Sequence, residues 1–351
     1  MDLILNGQAQ GSVAATLLQN NFNPSVLRPW IGKDGRSYIA RNDGGKLIAS
    51  PTMVNNATLR KEEWKILDEA VVMAAKERLR VVADLRAAGL TYNIPNGMAK
   101  TILETETVSD ITGATISMDP ARKSEGDRPE YDLTGLPLPV IHKDFYFNAR
   151  QIATSRNIGS GIDVTMAQLA ARRVSEEAEK LVLGTTGTFT YGGGTIYGLT
   201  NFPSRITRSL ISPLESEWVP SQTVQNILAM RQDSEDAFHY GPWVLYNSPA
   251  WDQYLDDDYS SAKGDNTLRQ RIEAINGIQG VRTADYLTGY QLILVQQSTD
   301  VIREVIGMDV TTLQWETDGG MRLHFKVMAI LVPQLRADYN GNSGVVHGTA
   351  P

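Results

Sequence analysis

The side chains best suited to chemistry are the four histidines, His142, His239, His324 and His347. They lie far apart in the chain, with no HExxH pattern and no second ligand at metal-binding spacing. Such a histidine is more often a hydrogen-bonded surface or core residue than a ligand. Asp256, Asp257 and Asp258 offer a cluster of carboxylates to a cation, but the ligand spacing and closing glutamate of an EF-hand are missing, which leaves a solvated acidic loop. The glycines of TTGTFTYGGGTIYGLTNFP, after Gly184, lack the GxxxxGK[ST] spacing and the strand-to-helix context of a phosphate cradle. They read as a surface loop with a short hairpin. The chain has no GxSxG, no Ser/His/Asp set, no cofactor fingerprint and no cysteine, so disulfides, thiolate metal sites and cysteine nucleophiles are out. Paired carboxylates carry no weight in an acidic chain. The expectation is a structural protein rather than an enzyme, with no catalytic residue, no cofactor and no metal.

The 351 residues are 42% hydrophobic and 21% charged, an ordinary globular composition with room for two domains or one elaborated domain. A net charge of −7 argues against a protein whose main task is gripping nucleic-acid phosphates, and leaves open one that only surrounds nucleic acid. The opening MDLILNGQAQ has no basic region followed by a long apolar core, so no secretory signal is expected. No run approaches the length of a membrane span, and no membrane partner is expected.

The elements that must position any functional surface centre on Gly159–Gly184. Ser160 and Asp163 have capping-box spacing at its start. Val164, Leu169, Ala170, Val174, Ala178, Leu181 and Val182 then recur on one face, against Arg172, Arg173, Glu176, Glu177, Glu179 and Lys180 on the other. Gly184 suits a left-handed cap. A helix over 162–183 runs about 33 Å at 1.5 Å per residue. Residues 1–56 are punctuated by Asn, Gly and Pro yet carry Leu27, Trp30 and Tyr38. That composition suits an arm laid over a neighbouring surface, and equally an irregular lobe folding back on its own chain. A second helix is expected over 59–80, with Trp64, Leu67, Val71 and Ala74 facing in; VVADL (81–85) either continues it or turns extended.

Within 91–139, TETVSDITGATISMD alternates as a hairpin turning near Thr112-Gly113, and the charged run ARKSEGDRPEYD follows it. A ribbon this polar has little to bury against its own domain, so it protrudes. HKDFYFNARQI (142–152) reads as a strand feeding the long helix. From Ser221, a candidate N-cap, the order is helix, buried strand PWVLYN, a helix opened by Ser248-Pro249, the polar tip 256–266 and a further helix from TLRQRIEAI. Strands are expected at 281–285, 291–297 and 302–307, and two more, 309–317 and 321–332, pair across Asp318-Gly319-Gly320. The final NGNSGVVHGTAP reads as a loose tail.

Several of these segments resemble one family. EEWKILDEAVVMAAKERLRVVADLRAAG looks like the N-terminal helix of encapsulin shell proteins and the segment after it. FYFNARQIATSRNIGSGIDVTMAQLAARRVSEEAEKLVLG resembles their strand and spine helix, and IYGLTN the short Gly-Leu segment beyond. The end of the chain, QLILV…VIREVIGMDVTTLQWE…LHFKVMAILVPQL, is similar in order and pattern. The resemblance covers about 59–90 and 142–336. Encapsulins share the Hong Kong 97-type fold with major capsid proteins of tailed bacteriophages.

That resemblance implies an α+β chain with an N-terminal arm at 1–56 and a peripheral domain from 57–90, 141–203 and 301–340 around a spine helix at 162–183. It further implies an extended loop (E-loop) at 91–140, an axial domain at 204–300 and a C-terminal tail at 341–351. Asp256, Asp257, Asp258 and Tyr259 would approach a symmetry axis; Arg122, Lys123 and Arg128 would contact neighbours from the E-loop; Leu27, Trp30 and Tyr38 would anchor the arm. The arm and E-loop are longer than encapsulins usually have, which favours a phage head shell enclosing double-stranded DNA over an encapsulin enclosing a cargo enzyme. A soluble α/β enzyme or binding protein with an unrecognised pocket is the rival class. The implied partners are copies of the same chain in pentamers and hexamers, scaffold, portal and decoration proteins, and DNA held without sequence-specific contacts. The implied location is the virion, assembled in the host cytoplasm.

Overall fold

The computed structural model describes residues 28–43, 46–51, 59–114, 116, 118, 126–158, 163–259 and 266–350. The chain is α+β and divides into two compact units, each made of interleaved stretches. The first takes Met1–Thr101, Leu138–Val182 and Glu304–Val332; the second takes Ile102–Pro137, Leu183–Arg303 and Pro333–Pro351.

The first unit begins with three short strands, β1 (Trp30–Ile31), β2 (Ser37–Asp43) and β3 (Lys46–Pro51), followed by helices α1 (Lys61–Arg78) and α2 (Arg80–Ala87). Its main sheet runs β4–β14–β15–β7, from β4 (Thr91–Asn93), β14 (Ile302–Thr317), β15 (Arg322–Leu335) and β7 (Ile141–Asn148). Helices α3 (Ala149–Ile158) and α4 (Thr165–Leu183) follow β7. Alternation along β15 turns Leu323, Phe325 and Val327 inward, and the register sets Phe325 opposite Phe145 and Leu323 opposite Phe147. Phe325 stacks on Phe145 at 5.2 Å between centroids and meets the edge of Trp64 of α1 at 6.1 Å. The inward face of α1 and one face of this sheet therefore form one aromatic core.

Sequence periodicity located α4 and α1, and the structure refines them. VVADL is helical, and Gly89 ends it at φ +73° with Leu90 N–H donating to Leu85 O, the left-handed cap a glycine permits. The anticipated Ser160 cap lies outside the described residues; Asp163 accepts from Thr165 N–H at 2.9 Å instead. Leu169, placed on the apolar stripe, is 49% exposed, whereas Glu176 and Glu179, placed on the free face, are buried. Glu179 accepts from Val81 and Val82 N–H and so caps the start of α2. A long helix has more than one neighbour, and its second contact face is polar because it meets a helix end. The strand expected over 142–152 stops at Asn148, where α3 intervenes. The segments 302–307 and 309–317 are one continuous strand, β14.

The second unit holds two ribbons and a five-stranded sheet. One ribbon pairs β5 (Ile102–Val108) with β6 (Tyr131–Pro137), the other β8 (Phe189–Tyr191) with β9 (Gly194–Ile196). The hairpin expected to turn at Thr112-Gly113 is thus wider: its second strand lies beyond the charged run. The sheet runs β10–β16–β13–β11–β12, from β10 (Ile206–Ser209), β11 (Trp243–Asn247), β12 (Ile278–Thr283), β13 (Tyr290–Gln296) and β16 (Val345–Ala350). Helices α5 (Pro220–Asp236), α6 (Pro249–Leu255) and α7 (Leu268–Glu273) supply Ile227, Met230, Trp251, Leu268 and Ile272 to a core shared with Trp243, Leu245, Leu294 and Val346. Helix α5 starts two residues earlier than the Ser221 cap implied; Val219 is its N-cap, and Gln222 accepts from the Val219 N–H.

The largest correction concerns the end of the chain. The expected loose tail contains β16, which lies between β10 and β13 with Val345 and Val346 wholly buried. A strand with partners on both sides carries two ladders of hydrogen bonds, so its loss exposes both neighbours. A chain ending at Asn342 should therefore fail to give a cooperatively folded second unit. Amide exchange at Leu292–Val295 should become fast, where a dispensable tail would leave it slow.

Candidate functional site

The β5–β6 ribbon is built to project. Its register pairs Val108 with Tyr131 and Glu106 with Leu133, and directly opposed residues share a face. One face therefore presents Val108, Tyr131 and Leu133, which are 48%, 65% and 63% exposed, beside Glu104 and Glu106. The root is held by backbone: a Cβ on Gly194 would strike the carbonyl of Gly135, so β9 and β6 touch where only glycines fit. Farther out, Ser109 N–H donates to Glu130 O at 2.9 Å and the Thr112 hydroxyl to Asp127 at 2.8 Å, which extends the pairing past the strands. Arg128 is exposed on this outer part and makes no ion pair among the described residues. Arg122 and Lys123 lie outside them.

The acidic loop is less open than its composition suggests. Arg269 of α7 donates to Asp256 at 2.7 Å and to Asp252 at 3.0 Å, and Asp252 also accepts from Asn247 and Thr283. Burial raises the cost of the Asp252 charge, and these donors outweigh it, holding Asp252 below the usual carboxylate range. Leu268 N–H donates to Asp257 O, Asp258 bridges Thr267, and Tyr259 N–H donates to Asn266 O. The base of the loop is thereby closed, with the side chains of Asp257 and Asp258 exposed.

Of the three amino-terminal anchors, Leu27 lies outside the described residues. Trp30 is buried and stacks on Tyr38, its partner across β1–β2, at 6.2 Å. Just before it, Arg28 is 3% exposed, pairs with buried Asp68 of α1 and lies 4.5 Å over the Trp64 ring, whose Nε1–H donates to Pro29 O. Burial pushes Asp68 up to about 6 against the pull of Arg28. Residues 28–31 are thus fastened to their own chain, so of the two dispositions open to this stretch, folding back holds here.

Each histidine has a nearby partner. His142 lies 3.9 Å from Asp144, His239 meets Gln296 at 2.8 Å, and His324 meets Thr317 at 2.9 Å while stacking on Trp315. His347 of β16 accepts from Arg205 at 3.4 Å and meets Gln291 at 3.3 Å. Among the described residues no three His, Asp or Glu side chains gather as a metal site, and no helix is long and apolar enough to cross a membrane. A cleft of about 640 Å³ in the second unit is lined by Thr105, Asp132, Thr134, Tyr197, His239 and Tyr339. The features that stand out among the described residues are surfaces.

A long helix lying with a sheet, an inserted projecting ribbon, and a second α/β unit with a loop at one end make up the Hong Kong 97-type capsid fold. Residues 54–348 match the model described as "Family of unknown function (DUF6260)", and the chain belongs to that family. The virus-like particle protein of Pyrococcus furiosus superposes with a TM-score of 0.59 at 17% identity, over 82% of this chain and 99% of that one. The capsid protein of Myoviridae phage XM1 gives 0.56 at 9% identity, over 72% and 86%. The type 1 encapsulin shell protein EncA of Myxococcus xanthus is 24% identical over 79% of this chain and 90% of its own.

Sequence reasoning missed the role of His347. Burial, reinforced by the Arg205 charge, lowers it to about 4, below the ordinary histidine value of 6.5. The folded state thus favours neutral imidazole, so its stabilising contribution is full above pH 6.5 and is lost as pH falls towards 4. The loss is on the order of 3 kcal/mol at 1.36 kcal/mol per pKa unit. Chemical denaturation at pH 7 and pH 4.5 should show a smaller pH effect for His347→Gln than for the parent chain.

Proposed function

We propose that the chain is a shell subunit that assembles with copies of itself into a closed icosahedral particle, and specifically that it is a major capsid protein of a tailed bacteriophage enclosing double-stranded DNA. The observation that carries the shell reading is the projecting β5–β6 ribbon on a Hong Kong 97-type fold, with an apolar face that its own chain leaves uncovered. Closed shells need heterologous contacts, in which different patches of one chain meet between copies. In this reading the first unit carries the peripheral domain with α4 as its spine. The ribbon is the E-loop, the β10–β13 and β16 sheet belongs to the axial domain, and the loop at Asp256–Tyr259 approaches a local symmetry axis. There Arg269 leaves Asp257 and Asp258 as the charges that face their counterparts. Arg128, with Arg122 and Lys123, meets carboxylates of a neighbour, each exposed pair contributing about 0–1 kcal/mol, so that strength comes from number.

The length of the E-loop and of the stretch before α1 favours a phage head. A second reading, an encapsulin around a protein cargo, is favoured by the resemblance to the M. xanthus shell protein over 90% of that protein. Either shell needs no chemistry from its subunit.

Purified chain should form particles tens of nanometres across in negative-stain micrographs, whereas a monomer or dimer at all concentrations would sink the shell reading. Nuclease-resistant DNA inside native particles supports the phage head, and a co-purifying enzyme inside them the encapsulin. Tyr131→Asp with Leu133→Asp should leave a folded subunit with an unchanged melting temperature that no longer assembles.

A further inference from the structure

We infer that the exposed rings of Phe238 and Tyr240, at the end of α5, form a docking point for a second copy of this chain, and that its occupant is the apolar face of that copy's β5–β6 ribbon. The inference rests on the shell reading above and names a contact within it.

Helix α5 ends in a Schellman arrangement, with Phe238 N–H donating to Glu235 O and His239 N–H to Ser234 O. That arrangement needs a residue in the left-handed region, where glycine is the residue without steric penalty. Here it is Phe238, at φ +64°. A bulky side chain in that conformation is a true outlier, and this one gains nothing from its own subunit, since it is 74% exposed. Tyr240 is 68% exposed two residues later.

The backbone between and around the rings is held firmly. The Ser234 hydroxyl donates to His239 O and accepts from Trp243 Nε1–H; His239 Nδ1 meets Gln296, and the Gln296 amide donates to Gly241 O. Two aromatic rings are thus presented to solvent on a preorganised loop. Rigid, exposed aromatic anchors are what interface hot spots are made of, because little order has to be lost on docking.

The occupant follows from two complementary features. The same chain carries a second uncovered apolar face, Val108, Tyr131 and Leu133, and within one chain neither patch covers the other, since all five side chains are exposed. The ribbon face itself carries Glu104 and Glu106, so a cation that complements an acidic patch must come from beside it. In the last turn of α5, Asp233 pairs with Arg208 and Glu235 with Arg231, but Asp236 has only the Gln232 amide, and it stands at the negative end of the helix. The ribbon's outer part supplies Arg128, a cation without an ion pair among the described residues. In the docking inferred here, Arg128 of one copy pairs with Asp236 of the next.

The test uses the full chain. Phe238→Gly relieves the left-handed backbone, so the unassembled subunit should melt at the same temperature as the parent or a few degrees higher. The concentration at which half the chain is assembled, read by light scattering, should nevertheless rise about tenfold. Asp236→Arg and Arg128→Glu should each weaken assembly, and the double variant should recover it. Parent particles with unchanged assembly of Phe238→Gly would overturn the docking point while leaving the shell reading intact. Failure of the double variant to recover would overturn the ribbon as occupant. A parent chain that never forms particles removes both.

Discussion

Glu304 is a carboxylate with no access to water, and the first unit is arranged so that it never lacks a cation. Its side chain is 1% exposed, Arg86 of α2 donates to both of its oxygens at 2.7 and 2.9 Å, and the same guanidinium reaches Asp309 at 3.0 Å. Burial pushes both carboxyls upward, and only Arg86 opposes it. Removing one partner of such a group costs about 3–5 kcal/mol, because the other is left charged and dry. The geometry that satisfies Glu304 also aligns the main chain: its N–H donates to Leu90 O, β4 pairs in parallel with β14, and Gly97 approaches Gly307 so closely that a Cβ would strike its backbone.

The second unit depends on the opposite end of the chain. Its sheet has β16 as an inner strand, so this strand completes a core begun by β10 nearly 140 positions earlier. The Glycine at 348 packs against Leu210, where a Cβ would have no room. A sheet closed this way needs β16 before both β10 and β13 have their inner partner.

The surfaces divide labour. The ribbon meets its own unit at Gly135 against Gly194 and at Thr105, which accepts from Gln334, and Arg269 ties the base of the acidic loop to α6. Apolar side chains left uncovered include Val108, Tyr131 and Leu133 on the ribbon and Phe238 and Tyr240 after α5. Specificity in such a fold lies in which faces its own core leaves unpartnered.

Much of the fold was legible in order along the chain. The 3.6-residue spacing of Trp64, Leu67 and Val71 and of Ala170, Val174 and Ala178 located the two long helices, Ser248-Pro249 located α6, and the absence of motif spacing around the histidines pointed away from catalysis. The sequence was silent where meaning depends on a distant partner. Val345-Val346-His347 has the composition of a strand, but a run of Asn, Gly and Ser and the nearby chain end outweighed it until β10 and β13 were in place. Glu179 reads as solvated by helical periodicity, and only the packing of α2 against α4 makes it a cap. Likewise, the register of β5 on β6 put Val108, Tyr131 and Leu133 on one face, although more than twenty residues separate the strands. Local periodicity and composition alone determined the two long helices and the acidic, cysteine-free and motif-free character. Tertiary structure decided which strands are central, which charges are buried and which apolar side chains stay outside, because each of these is fixed by contacts between residues far apart in sequence, for which no spacing rule exists.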